Sequence, residues 1–149
     1  MENAVIVSAA RTAIGDFMGS LKSLSAVDLG GIAAKAAIER AGMDKKDIEE
    51  VFAGMVYKEG VKGNPARQIQ LKCGIPEKGA AVTIDQQCAS SMRAVELASL
   101  EIMTGRKDIC LVVGTESMSN VPHLLMNARN GYKLGPVQIE DALLYDALN

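Results

Sequence analysis

Short runs rich in Val, Ile and Ala recur along the chain, and segments of helical composition lie between them. The runs are AVIVSAA (4–10), EEVFAGMVY (49–57), AAVTI (80–84) and DICLVVG (108–114). The first carries no polar alternation and reads as a strand buried on both faces. AVDLGGIAAKAAIERA (26–41) predicts a helix with Ser25 as its cap and Gly42 as its stop. NPARQIQLKCGIP predicts a second, with Asn64 at the N-cap, Pro65 at the first helical position, and an end at Gly74 and Pro76. A third pattern runs from about Cys88 to Thr104, with Gly105 after it. Strand and helix therefore alternate, which argues for an α/β sheet with helices on its faces. After the first run the chain reads SAARTAIG rather than G-x-G-x-x-G, so no dinucleotide-binding turn is expected.

With 149 residues, 48% hydrophobic and 23% charged, the chain is long enough to bury a core without disulfides. A net charge of −2 without a basic cluster argues against a nucleic-acid footprint or an electrostatic membrane anchor. No window approaches an uncharged 18-residue apolar span. The three cysteines, Cys73, Cys88 and Cys110, cannot all pair and none lies in a C-x-x-C spacing. Together with an N-terminus lacking a signal-peptide pattern, this sets the expectation of a reduced, cytoplasmic protein. No metal site is expected. The final VQIEDALLYDALN has the pattern of an amphipathic helix beginning, which reads as truncation inside a longer protein or one piece of a divided one.

TIDQQCASSMRAVELA holds the most informative cysteine. Cys88 stands where a strand-like run hands over to a helix pattern that is apolar around most of its circumference, so that helix is expected to be buried. The free N–H groups and dipole of a helix start favour an anion, and a thiolate is one. The strand-to-helix turn would project the side chain as nucleophile elbows do, and small neighbours (Ala89, Ser90, Ser91) leave room for a bulky thioester. Free cysteine is also among the most buried and inert residue types, and the local sequence leaves both readings open.

Beyond this segment the chain resembles the N-terminal part of the thiolase family. The likeness runs through VIVSAARTAIGDFMGSLKSLSAVDLG, NPARQ (64–68), TIDQQCASSMRAVELA and VVGTESMSNVPHLLMNARNGYKLG to EDALLYDALN. It implies a layered α/β fold, the first half of an αβαβα arrangement, with a mixed sheet and a buried central helix. It implies an N-terminal α/β domain over 1–120, the start of an inserted loop domain over 121–149, and an absent C-terminal domain.

The implied activity is a thiolase (acetyl-CoA acetyltransferase) reaction that forms or cleaves 3-oxoacyl-CoA, acetoacetyl-CoA foremost, through an acyl thioester on Cys88. The Cys88 N–H would be one oxyanion donor. Coenzyme A would be substrate or product rather than a permanent cofactor, and Leu148 matches a CoA-contacting leucine. The family's activating His, second Cys and Asn lie in the missing half. The fragment is therefore expected to be inactive alone, with that half and further copies (a dimer or tetramer) as partners. His123, in NVPHLL, is given no catalytic role.

Two departures from the resemblance stand out. Ala89-Ser90-Ser91 replaces the usual Gly-Ser-Gly, which narrows the pocket. Asp85 stands where Asn is usual; it either faces the thiolate and raises its pKa or accepts backbone N–H groups. Glu116 in GTESMSN and Arg67 in NPARQ are expected to be scaffolding and Cys73 and Cys110 spectators; Met92, Met118 and Met126 could line an acyl pocket but are expected to be packing residues. Two other functions compete with the enzyme reading. One is a non-catalytic binding or assembly subunit with the same fold; the other is a redox-sensing thiol protein.

Overall fold

A computed structural model describes residues 3–149. Its centre is a three-stranded parallel sheet in the order β2-β1-β3, with β1 at Glu50–Gly54, β2 at Ala80–Ile84 and β3 at Cys110–Gly114. Every residue of β1 is buried, as a middle strand with helices on both faces requires. Alternate side chains divide between the two layers. Val51 and Ala53, with Leu111 and Val113, face Val27 and Ala34 of α1 (Ala26–Ala41) and Ile69 and Cys73 of α2 (Pro65–Cys73). Phe52 points the other way, onto Ala94 and Ala98 of α3 (Ser90–Met103).

Local signals account for the ends of the first two helices. Ser25 and Asp28 form a reciprocal capping box, each side chain accepting the other's backbone N–H at 3.1 Å. Asn64 caps α2 through the Arg67 N–H at 3.3 Å, with Pro65 in its first turn. Gly42 and Gly74 end the helices in the left-handed conformation, with φ of 64° and 72°. These match the predicted positions.

Elsewhere the structure departs from expectation. Segment 4–10 forms no strand and pairs with none of the described strands, and Val5, Ile6 and Val7 are 73%, 81% and 67% exposed. It has a strand's composition, yet a strand also needs a neighbour's N–H and C=O groups, and here a groove of about 540 Å³ separates it from β3. Ala33 and Ala37 of α1 and Val95 and Ile102 of α3 line the groove from opposite faces of the sheet. The mixed sheet implied by the resemblance is likewise wholly parallel among the described residues. Antiparallel pairing occurs only in a small ribbon, where β4 (His123–Leu124) meets β5 (Glu140–Asp141).

The expected burial of α3 holds on one side only. Ser90, Ala94 and Ala98 are buried against the sheet, while Met92 is 74% exposed. Helix α3 packs on the sheet by a single face, and none of the described elements covers the other. The C-terminal segment does begin a helix, as its pattern implied: Ala142 and Leu143 are helical and buried, while Leu144 and Leu148 are exposed. A single π-type turn spans Leu144–Leu148, closed by the Asn149 N–H donating to Leu144 O at 3.0 Å.

The start of α3 lies directly on the sheet. A Cβ at Gly54 would fall 2.4 Å from Ser91 N and 2.5 Å from Ser91 Cα, and one at Gly114 would fall 2.3 Å from Ser91 Oγ. Gly54 and Gly114 are register partners, so two missing side chains, side by side, admit the helix. Gly54→Ala should therefore cost about 2 kcal/mol or more by overpacking against backbone, read as a lowered denaturant midpoint. An unchanged midpoint would show that the helix start is not seated there.

Candidate active site

All three strands end together, at Gly54, Ile84 and Gly114, and the loops leaving them gather over that end. Cys88 lies in the second of these loops, in the turn from β2 into α3. It sits two residues ahead of the helix rather than within it, because Ala89 and Ser90 spend their N–H groups on tight turns to Gln86 O (3.1 Å) and Gln87 O (3.0 Å). Ser90, 3% exposed, pins the turn from inside: its Oγ accepts the Gln86 N–H at 2.9 Å and donates to Gln87 O at 2.5 Å. Gln87 is left-handed, with φ of 53°, an uncommon conformation for a residue with a Cβ.

The outcome is an exposed thiol on a tightly bonded turn. Cys73 is buried and Cys110 half-buried, and burial raises the pKa of both thiols, that of Cys110 to about 11. Their surroundings thus make them the spectators expected. No side chain caps α3; the Ser90 N–H bonds Gln87 O, and the positive end of the helix dipole begins two residues after Cys88. Such a site favours a developing oxyanion.

Contacts from neighbouring loops hold the turn. Lys58, beyond β1, donates to Val56 O at 2.8 Å and to Asp85 Oδ2 at 2.5 Å. Asp85 Oδ1 accepts the Gln87 N–H at 3.1 Å. The Lys58 hydrogen bond lowers the Asp85 pKa most; burial opposes it less strongly, and the Gln87 N–H lowers it further. The backbone-accepting role predicted for Asp85 is thus present.

Glu116, beyond β3, accepts the Val56 N–H at 2.8 Å and the Tyr57 N–H at 3.4 Å through Oε2. Its Oε1 is buried without a partner, and burial raises its pKa despite those two N–H groups. Tyr57, 5% exposed, donates its hydroxyl to Leu143 O at 2.8 Å. Burial raises its pKa, and the negative groups Glu116, Asp141, Asp146 and Cys88 add to the shift. The C-terminal segment is thereby drawn to the same end of the sheet.

Several other residues are placed as structure. Thr115 and Ser117 donate to Ala26 O and Leu24 O at 2.6 and 2.9 Å, and Asn120 donates to Lys22 O and Leu24 O, so GTESMSN braces the entry to α1. Arg67 donates to Gln70 Oε1, Glu77 O and Gly79 O within 3.1 Å, fixing the α2–β2 loop. His123 is exposed on β4. Met92, Met118 and Met126 are exposed, so none is the packing residue expected, and Leu148 is 60% exposed in the last turn. No group of three or more possible metal-ligating side chains occurs among the described residues. Sequence reasoning missed Lys58 and Tyr57 altogether, along with the sheet-end glycines; a strand's C-terminal end is the one general cue that points there.

Comparison with known proteins agrees with this geometry. Residues 4–149 match the family described as thiolase, N-terminal domain. The cytosolic acetyl-CoA acetyltransferase of Gibberella zeae is 50% identical over 143 residues, 96% of this chain and 36% of that one. An acetyl-CoA acetyltransferase structure from Syntrophomonas wolfei superposes with a TM-score of 0.94 at 46% identity, over 97% of this chain and 36% of the other. The Acat5 thiolase of Ascaris suum, solved in complex with coenzyme A, gives 0.94 at 40% identity, over 98% and 38%. The chain therefore spans little more than a third of the length of these relatives.

The buried Glu116 carboxyl has a testable pH consequence. Its folded pKa is raised, so its contribution to stability is fully present below the unfolded value and is lost as pH rises through the folded one. Glu116→Gln keeps an acceptor for the Val56 and Tyr57 N–H groups without the charge. Relative to this variant, the unsubstituted protein should lose melting temperature as pH rises above the ordinary glutamate range. A difference independent of pH would contradict the assignment.

Proposed function

The chain belongs to the thiolase family, through its N-terminal domain, and we propose that it supplies the acyl-accepting cysteine of an acetyl-CoA acetyltransferase. The observation that carries this reading is the exposed Cys88 thiol beside the uncapped start of α3. In the proposed reaction the Cys88 thiolate attacks the thioester carbonyl of acetyl-CoA. Negative charge collects on the carbonyl oxygen, within reach of the Cys88 N–H, and coenzyme A leaves as its thiol once protonated. A second acyl-CoA, deprotonated at its α-carbon, then attacks the S-acetyl group; 3-oxoacyl-CoA is released and the Cys88 thiolate is restored. Run backwards, the same steps cleave a 3-oxoacyl-CoA.

The groups that move the protons belong, on the family resemblance, to the portion beyond this chain. We assign residues 1–120 to the N-terminal α/β domain and 121–149 to the start of the inserted loop domain, where Leu148 contacts coenzyme A. The 540 Å³ groove and the bare face of α3 are apolar surfaces of the kind that a C-terminal half or a further copy covers in an assembled enzyme. Coenzyme A acts as substrate and product, in keeping with the coenzyme A complex of the Ascaris suum thiolase. The compartment proposed is the cytoplasm, that of the cytosolic relative.

A non-catalytic thiolase-fold subunit is the alternative, since the chain's sole histidine is exposed on β4. Incubation with acetyl-CoA, alone and with the C-terminal half, followed by peptide mass spectrometry, separates the two. The expected result is one acetyl group on Cys88 in the assembled protein and none after Cys88→Ser. An unlabelled Cys88 in the complete assembly would sink the enzyme reading, and peroxide sensitivity without acylation would favour a redox thiol.

A further inference from the structure

We propose that Lys58 and Asp85 are positioning residues for Cys88, binding its turn to the loop beyond β1 and balancing the charge beside its sulfur. The inference rests on the reading of Cys88 as a thiolate nucleophile. Its structural basis is a continuous set of contacts. Glu116 holds the Val56 and Tyr57 N–H groups, Val56 O and Asp85 Oδ2 share the Lys58 ammonium, and Asp85 Oδ1 holds the N–H of Gln87, the left-handed residue immediately before Cys88. Loops from all three strands are thereby linked in one chain of contacts, which ends at a carboxylate three residues from the sulfur.

Magnitudes indicate what the pair is for. Its side chains are 38% and 40% exposed, and an exposed ion pair contributes on the order of 1 kcal/mol or less to stability. Holding up the fold is not its main effect. A charged acceptor on the Gln87 N–H is a stronger hydrogen bond than a neutral one, and it acts where the backbone needs support, because left-handed Gln87 carries a steric cost. Electrostatically, Asp85 alone would oppose a thiolate and Lys58 alone would favour one. Paired, they nearly cancel.

Other charged groups around the turn are Glu59 beside Lys58, Glu116 beyond β3, Arg93 on α3 (engaged with Glu96 at 2.7 Å), and Asp141 and Asp146 in the C-terminal segment. They are mainly acidic. Lys58 is thus the cation that keeps Asp85 from adding to a negative surround.

The test is the rate of Cys88 alkylation by iodoacetamide, followed by peptide mass spectrometry between about pH 6 and 10, in the protein in its natural full-length form. Lys58→Gln should slow alkylation near neutral pH about threefold and move the midpoint up. Asp85→Asn should speed it about threefold and move the midpoint down. The double variant Lys58→Gln/Asp85→Asn should return close to the starting rate. Opposite signs with mutual rescue are what a purely structural contact does not produce, since loosening the turn would shift both single variants the same way. Shifts in one direction, or none, would overturn the proposal. Acylation by acetyl-CoA is scored separately: failure there with the opposite shifts intact removes the enzyme reading, whereas acylation without the shifts removes only the role of the pair.

Discussion

The contact on which the site depends is the seating of α3's first turn on two adjacent glycines. Gly54 and Gly114 end neighbouring strands in register, and Ser91 occupies the space where their side chains would be, its backbone at Gly54 and its side chain at Gly114. Because the helix starts that close to the sheet, the turn before it is short, and its N–H groups are consumed in tight bonds pinned by buried Ser90. Cys88 is then left projecting from a rigid support. A side chain at either glycine would push the helix outward and the cysteine with it. Packing density, rather than any group touching the sulfur, sets where Cys88 stands.

Around that support the site is assembled from long-range polar contacts. Each of the three strand exits contributes one: Lys58 after β1, Asp85 after β2 and Glu116 after β3. Glu116 is the costly member, with one oxygen buried and unpartnered. Such a group is retained where removing it would cost more than burying it, and here it fixes the loop that presents both Tyr57 and Lys58.

How much of this the sequence disclosed follows from the range of each interaction. Ser25 with Asp28, Asn64 with Pro65, and the stops at Gly42 and Gly74 act over a few residues, and their helices fall where the pattern placed them. The run AAVTI is a strand over its full predicted length, Ala80–Ile84. AVIVSAA has equal strand character but no partner at hand, since pairing is a property of neighbours and not of composition. In the same way the apolar circumference of α3 tells what the helix is suited to meet, whereas this chain covers one side only. Cys88 was legible because its surroundings are local. Lys58 was not, because its partner Asp85 is 27 residues away, and Glu116 reaches Val56 across 60; no local pattern marks either pair.

The central claim is that the turn between β2 and α3 holds a sulfur able to accept an acyl group beside the uncapped helix start. Its most direct test is a high-resolution crystal structure of the assembled protein after exposure to acetyl-CoA. The account predicts continuous electron density from Cys88 Sγ into an acetyl group, with the carbonyl oxygen turned toward the Cys88 N–H. Density showing an unmodified sulfur packed against apolar side chains, with acetyl-CoA bound elsewhere, would contradict it.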